Sequence, residues 1–166
     1  NGSAESRLTS SQFISEKNIA RNHFSNHRWE EAVDSYSKLN QWNMMDASLY
    51  LELGVALGKL NQSKKAIDSL YSGLIIDPNN PYIHRILSNY YLKVENSPYM
   101  SAIHLRHYLK NAEKGTDEYK EKEATFNQFR FQYGSLRRKP SLPTLSVRHN
   151  LQALEEYNRN ISSPKN

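Results

Sequence analysis

The sequence has no cysteine, which excludes disulfides and thiolate chemistry in any compartment and leaves the redox environment open. It has no apolar run of about 18 residues and no basic start leading into an apolar stretch and a cleavage pattern, so neither a membrane-spanning segment nor a retained signal peptide is expected. The expectation is a soluble protein, cytoplasmic or periplasmic, with export requiring that a targeting segment has been removed. No glycine-rich phosphate loop is present, because Gly54 and Gly58 fall inside an apolar helical pattern, and no serine-centred nucleophile elbow occurs. His23 and His27 have the spacing of two metal ligands on a helix, but Phe24 stands where a zinc protease needs Glu and no third ligand follows. His104 and His107 form a second loose pair, read like the first as surface or interhelix histidines. These absences point away from catalysis, and no metal or cofactor is expected.

Acidic residues are missing from one place in particular. The chain carries 22 basic and 17 acidic residues, a net charge of +5, but residues 124–154 contain Arg130, Arg137, Arg138, Lys139 and Arg148 and no Asp or Glu. The remainder is balanced, so every argument from basicity concerns that segment. Its Phe126, Phe129, Phe131 and Tyr133 alongside Arg130 resemble a surface that stacks bases and pairs phosphates. A helical stripe already claims most of those rings for packing, so an exposed linker or a docking patch for an anionic surface is the stronger reading.

What is present is a repeat. "AVDSYSKL" from Ala32 and "AIDSLYSGL" from Ala66 are separated by 34 residues, and Ala102 opens a third copy 36 residues further on. Leu49, Leu53, Ala56, Leu57 and Leu60 recur at helical spacing, Asn61-Gln62-Ser63 interrupts, and Ala66, Ile67, Leu70 and Leu74 resume the pattern, which predicts a helical hairpin. Asp77-Pro78 ends the second helix, since the residue before proline is pushed out of the α region, and Asn80-Pro81 starts the next with Asn as cap. Ser97-Pro98 repeats the device.

These residues resemble the tetratricopeptide repeat family. In the middle repeat, 47–80, Tyr50 stands at the usual Trp position, Leu53 and Gly54 match the Leu-Gly pair, Leu57 replaces the usual Tyr, and Ala66, Leu70, Gly73 and Pro78 complete the row. Repeat 1, 13–46, keeps Ile19, Ala20, Ala32 and Tyr36 but has Glu16 and Met44 at the Trp and Pro positions; repeat 3, 81 to about 115, keeps Leu87, Ser88, Tyr91 and Ala102. The resemblance implies an all-α, tetratricopeptide-like helical-hairpin array, an α-α superhelix. Small residues at Gly54 and Ala66 let paired helices approach, with Tyr50, Leu53 and Leu70 filling the space around them.

An array of hairpins needs its end covered. Residues 116–137 predict a capping helix: Thr116 as cap, Asp117 and Glu118 at its positive end, and Tyr119, Phe126, Phe129, Tyr133 and Leu136 along one stripe facing the last hairpin. A second copy of the chain could cover an end repeat equally well, so a homo-oligomer is compatible with the sequence. Residues 1–12 are expected to be a flexible N-terminal segment and 138–146 a proline-containing linker; 147–166 carry a C-terminal amphipathic helix through Val147, Leu151, Leu154 and Ile161. That helix packs on the array or folds back into its groove.

In the resembled family the first helices of successive repeats line a concave groove. Carried over position by position, the resemblance places there Ile14, Lys17, Arg21 and Phe24, then Leu51, Val55 and Lys59, then Tyr82, Arg85, Asn89 and Lys93. That set holds five basic residues and no carboxylate, which suits an acidic peptide or partner protein with apolar anchors. The carboxylate clamp of the family's heat-shock co-chaperones is not expected, since only Lys17 matches while Arg21, Glu52, Tyr82 and Ile86 take the other places. The expected function is a non-catalytic scaffold or adaptor, with bacterial envelope complex assembly as one setting. The length and three-repeat layout also look like those of class II chaperones of type III secretion translocators. Binding of nucleic acid or an anionic surface through 124–154 is the competing class.

Overall fold

The computed structural model describes residues 9–42 and 45–132, with side chains to Phe129. Seven helices follow one another in that span, with no strand among the described residues: α1 (Ser10–Ser25), α2 (Trp29–Gln41), α3 (Ala47–Lys59), α4 (Ser63–Ile76), α5 (Pro81–Lys93), α6 (Pro98–Asn111) and α7 (Asp117–Gln132). The pairs α1–α2, α3–α4 and α5–α6 are antiparallel hairpins, and each second helix packs on the first helix of the next pair. None of these helices is long and apolar enough to cross a membrane.

Local chemistry sets the boundaries. Thr9 caps α1 and exchanges hydrogen bonds with Gln12 in a capping box. Asp46 accepts from the Leu49 N–H, Asn80 from Ile83 and Ser97 from Met100, the last two with proline in the first turn. Thr116 caps α7 through the Tyr119 N–H. Inside each hairpin, one residue turns the chain in the left-handed region: His27 at φ 58°, Asn61 at φ 58° and Asn96 at φ 48°. Asparagine tolerates that conformation well and histidine less so; His27 stacks on Trp29 at 5.1 Å. The His23–His27 spacing thus reflects a hairpin turn, with His27 placed by backbone geometry.

Two continuous clusters form the core. One joins Ala20, Ala32, Tyr36, Leu39, Leu49, Leu53, Ala56, Leu57 and Ala66 across the first two hairpins. The other joins Ile67, Leu70, Tyr71, Leu74, Ile83, Leu87, Tyr91, Met100 and Ile103 across the last two. Tyr90 packs against both.

The close approach expected at the small residues is present. A Cβ on Gly54 would stand 2.8 Å from Leu70 Cγ and 3.3 Å from the Ala66 carbonyl oxygen, and one on Gly73 would meet Ile83 Cδ1 at 2.6 Å and Tyr50 Cβ at 3.3 Å. Ala66 itself is fully buried.

The third repeat's longer step divides in two. The turn between α5 and α6 has four residues, 94–97, against three, 60–62, between α3 and α4. Ala102 also lies one position deeper in its helix than Ala66. Residues 133–166 lie outside the described residues, among them Tyr133 and Leu136 of the cap's stripe, the linker 138–146 and the C-terminal helix.

Replacing Ala66 with Leu should overpack the α3–α4 contact and destabilise the chain by about 1–3 kcal/mol. Urea unfolding followed by circular dichroism reads the loss. An unchanged midpoint would show that the small residue is not required there.

Candidate functional site

The first helices of the hairpins, together with α7, lie side by side and make one face. Three sets of contacts join them laterally. Arg21 of α1 reaches α3, with Nε 3.2 Å from both carboxylate oxygens of Glu52 and Nη2 3.2 Å from Ser48 Oγ. Tyr90 of α5 lays its hydroxyl over Gly58 of α3, so closely that a Cβ on Gly58 would fall 1.5 Å from that oxygen. Arg85 of α5 pairs with Glu118 of α7, and Lys122 Nζ lies 3.4 Å from Asn89 Oδ1.

Glu52 is the hub of the first junction. It accepts a hydrogen bond from the hydroxyl of Tyr36, a residue with no exposed surface, while holding Arg21 on its other side. Burial, reinforced by the hydrogen bond to Glu52, pushes the Tyr36 hydroxyl far above its ordinary range, so it stays protonated and donates to Glu52. The arrangement links α1, α2 and α3 through one carboxylate.

These pairs set carboxylates against two of the five basic residues of the expected groove set, which itself held none. Glu52 and Glu118 both stand on it, each against an arginine that the sequence had assigned to ligand binding. Glu52 is one residue from Leu51, and Glu118 belongs to the capping helix, which therefore serves as the fourth wall of the face. α7 also packs on the last hairpin: its Tyr119 ring lies 6.5 Å from Tyr108, and its hydroxyl donates to the Leu109 carbonyl at 3.4 Å.

The remaining predicted residues divide by exposure. Phe24 is half-buried, edge-on to Trp29 at 5.5 Å and to Tyr36 at 6.5 Å, so much of it belongs to the first hairpin's core. Leu51 and Val55 are half-buried, and Leu51 packs on the second core cluster. Ile14 and Tyr82 stand out, 53% and 57% exposed, with the Arg85 guanidinium 5.9 Å from the Tyr82 ring. Among the described residues no carboxylate lies within ion-pair distance of Lys17, Lys59 or Lys93; Lys17 instead sits over the Phe13 ring at 5.4 Å. The side chains of Arg130, Arg137, Arg138, Lys139 and Arg148 lie outside the described residues.

Of the histidines, His104 is wholly buried, His84 nearly so, and His107 half-buried. Among the described residues no group of three or more candidate ligands is arranged to hold a metal ion.

No protein-family model matches the sequence, and no curated protein sequence matches it. Solved structures do. The type III secretion translocator chaperone SycD of Yersinia enterocolitica superposes with a TM-score of 0.67 at 16% identity, over 77% of this chain and 90% of that one. The same chaperone in complex with a peptide of the translocator YopD gives 0.66 at 17% identity, over 77% and 99%. The TPR2B domain of yeast Sti1, in a complex with an Hsp70 peptide, gives 0.62 at 18%, over 74% and 99%. The fold is a tetratricopeptide-type helical-hairpin array. The residues that the resemblance had assigned to a groove lie on α1, α3 and α5.

Replacing Glu52 with Ala should cost about 1–3 kcal/mol, because it strands the buried Tyr36 hydroxyl. Tyr36→Phe should cost less, and the double variant less than the sum of the two, since they share one interaction. Denaturant unfolding of the three proteins gives the coupling, and strict additivity would contradict the hub.

Proposed function

We propose that the chain is a non-catalytic adaptor or chaperone-type module that holds a segment of a partner protein along the face of α1, α3, α5 and α7. The observation that carries this reading is the surface left over once the ion pairs are accounted for. Exposed Tyr82 and Ile14 and half-buried Leu51 and Val55 supply apolar contact, and Lys17, Lys59 and Lys93 supply charge with no carboxylate within ion-pair distance among the described residues. Such a strip suits an extended or helical segment with apolar anchors flanked by acidic residues. Arg21 and Arg85 are held by Glu52 and Glu118, so they shape the face rather than await an acidic ligand.

The structural similarities agree in kind: SycD is a chaperone recorded with a translocator peptide, and the Sti1 domain is recorded with an Hsp70 peptide. The first of these favours a second reading within the same class, a chaperone of secretion translocators, since the likeness extends over 90% of SycD. Assembly of a bacterial envelope complex is the wider setting of the adaptor reading. Binding of nucleic acid or an anionic surface through Arg130, Arg137, Arg138, Lys139 and Arg148 has no observation among the described residues in its favour.

The test is affinity capture from native extract followed by mass spectrometry. The baits are the natural chain, a Tyr82→Ala/Lys59→Glu/Lys93→Glu variant and an Arg137→Glu/Arg138→Glu/Lys139→Glu variant, each checked for helicity. The exposed residues are chosen because reversing Arg21 or Arg85 would break helix junctions as well as contacts. A partner protein retained by the natural chain and the tail variant, and lost by the face variant, supports the reading. Loss confined to the tail variant contradicts it, and nucleic acid in that fraction identifies the competing class.

A further inference from the structure

Where the second and third hairpins meet, three histidines and two tyrosines form one buried cluster. His84 Nδ1 lies 3.0 Å from His104 Nδ1, His84 Nε2 lies 2.8 Å from the Pro78 carbonyl oxygen, and the Tyr71 hydroxyl lies 2.9 Å from His104 Nε2. Tyr71 and Tyr91 hydroxyls are 3.1 Å apart. His107 stacks on His84 at 4.6 Å, and Tyr91 lies parallel to His104 at 5.4 Å. The cluster therefore ties α4 and the turn after it to both α5 and α6.

The proton positions follow from the partners. A carbonyl only accepts, so His84 Nε2 carries its hydrogen, and a neutral His84 then has a bare Nδ1. His104 must donate to it from Nδ1, which leaves its own Nε2 to accept from Tyr71, whose oxygen accepts from Tyr91. His84, His104, Tyr71 and Tyr91 are thus linked in one direction, with the His84 and His104 rings neutral. One added proton is accommodated only by reversing the chain from His104 through Tyr71 to Tyr91. A second sets N–H against N–H between His84 and His104.

We propose that this cluster is an acid-released catch: proton uptake by His84 and His104 opens the joint between the second and third hairpins before the first two hairpins unfold. Burial pushes His84 down to about 4 despite the Pro78 carbonyl, and burial with the neighbouring His84 and His107 holds His104 well below its ordinary value. The charged surroundings do not rescue it. Asp77 in the turn favours a charge on His84, but Arg106 and Lys110 of α6 act against one on His107, and Glu95 after α5 bears on Tyr91.

The sign follows from these depressed values. The open joint binds protons that the closed joint refuses, so stability is fully present above an ordinary histidine's value of about 6.5 and declines as pH falls toward about 4. Between pH 7.5 and 5.5 the open-to-closed ratio should rise roughly tenfold for each histidine that is neutral when closed, about a hundredfold for His84 and His104 together. The inference is independent of what binds the face of α1, α3, α5 and α7.

Hydrogen–deuterium exchange of the full chain at pH 7.5 and 5.5, corrected for the intrinsic chemistry, tests it. The expected result is that corrected exchange in α5 and α6 rises about a hundredfold while α1–α3 changes far less. His104→Gln, whose amide supplies one donor and one acceptor and does not titrate, should remove about tenfold of that response. If that variant fails to fold, imidazole nitrogen resonances of the natural chain should show His84 and His104 neutral at pH 5.5, protonated on Nε2 and Nδ1 respectively. Both rings titrating near pH 6.5, uniform loss of protection along the whole array, or a full response in His104→Gln would each overturn the proposal.

Discussion

The array depends on how closely α3 can approach α4. With hydrogen at Gly54 and a single methyl at Ala66, Leu70 seats directly against the α3 backbone. Protein interiors are packed tightly enough that one added methylene there must displace its neighbours. The same economy recurs at Gly73, where Ile83 of α5 and Tyr50 of α3 both close in. A chain that lost these contacts would lose the angle at which one hairpin meets the next, and with it the packing that stabilises helices this short. The face built by α1, α3, α5 and α7 exists only because that angle is repeated.

Along the face, side chains do a second job of joining. Arg21 with Glu52, Tyr90 over Gly58, and Arg85 with Glu118 each cross from one first helix to another. Ion pairs as exposed as these are worth little as stabilisers. Their consequence is for recognition: two of the five cations expected along α1, α3 and α5 are already engaged, and among the described residues the other three, Lys17, Lys59 and Lys93, have no carboxylate within ion-pair distance. A ligand for this surface meets a strip of mixed character rather than a uniformly positive trough.

The hairpins were legible in the sequence because their signals are local or strictly periodic. Asp77-Pro78, Asn80-Pro81 and Ser97-Pro98 mark boundaries through the restrictions proline imposes, and the recurrence from Ala32 to Ala66 to Ala102 gives the repeat. The electrostatics of the face were not legible, because Arg21 finds Glu52 31 residues away and Arg85 finds Glu118 33 residues away. Glu52 was visible at a clamp position of the same face, but nothing local in the sequence ties it to Arg21, and Glu118 stands on a helix outside the repeats. The histidine spacings give no partner: His104, expected at the surface or between helices, bonds to His84, 20 residues earlier on another helix. His27 looked like half of a ligand pair and is the left-handed residue of a turn.

The central claim is that partners dock on the face of α1, α3, α5 and α7, and site-specific photo-crosslinking addresses it most directly. A photoreactive residue would be placed at Val55 on that face in one protein and at exposed Asp34 on α2 in another, each irradiated in native extract. The account predicts a discrete crosslinked partner from position 55 and none from position 34. The same partner captured from position 34, with nothing from position 55, would contradict it.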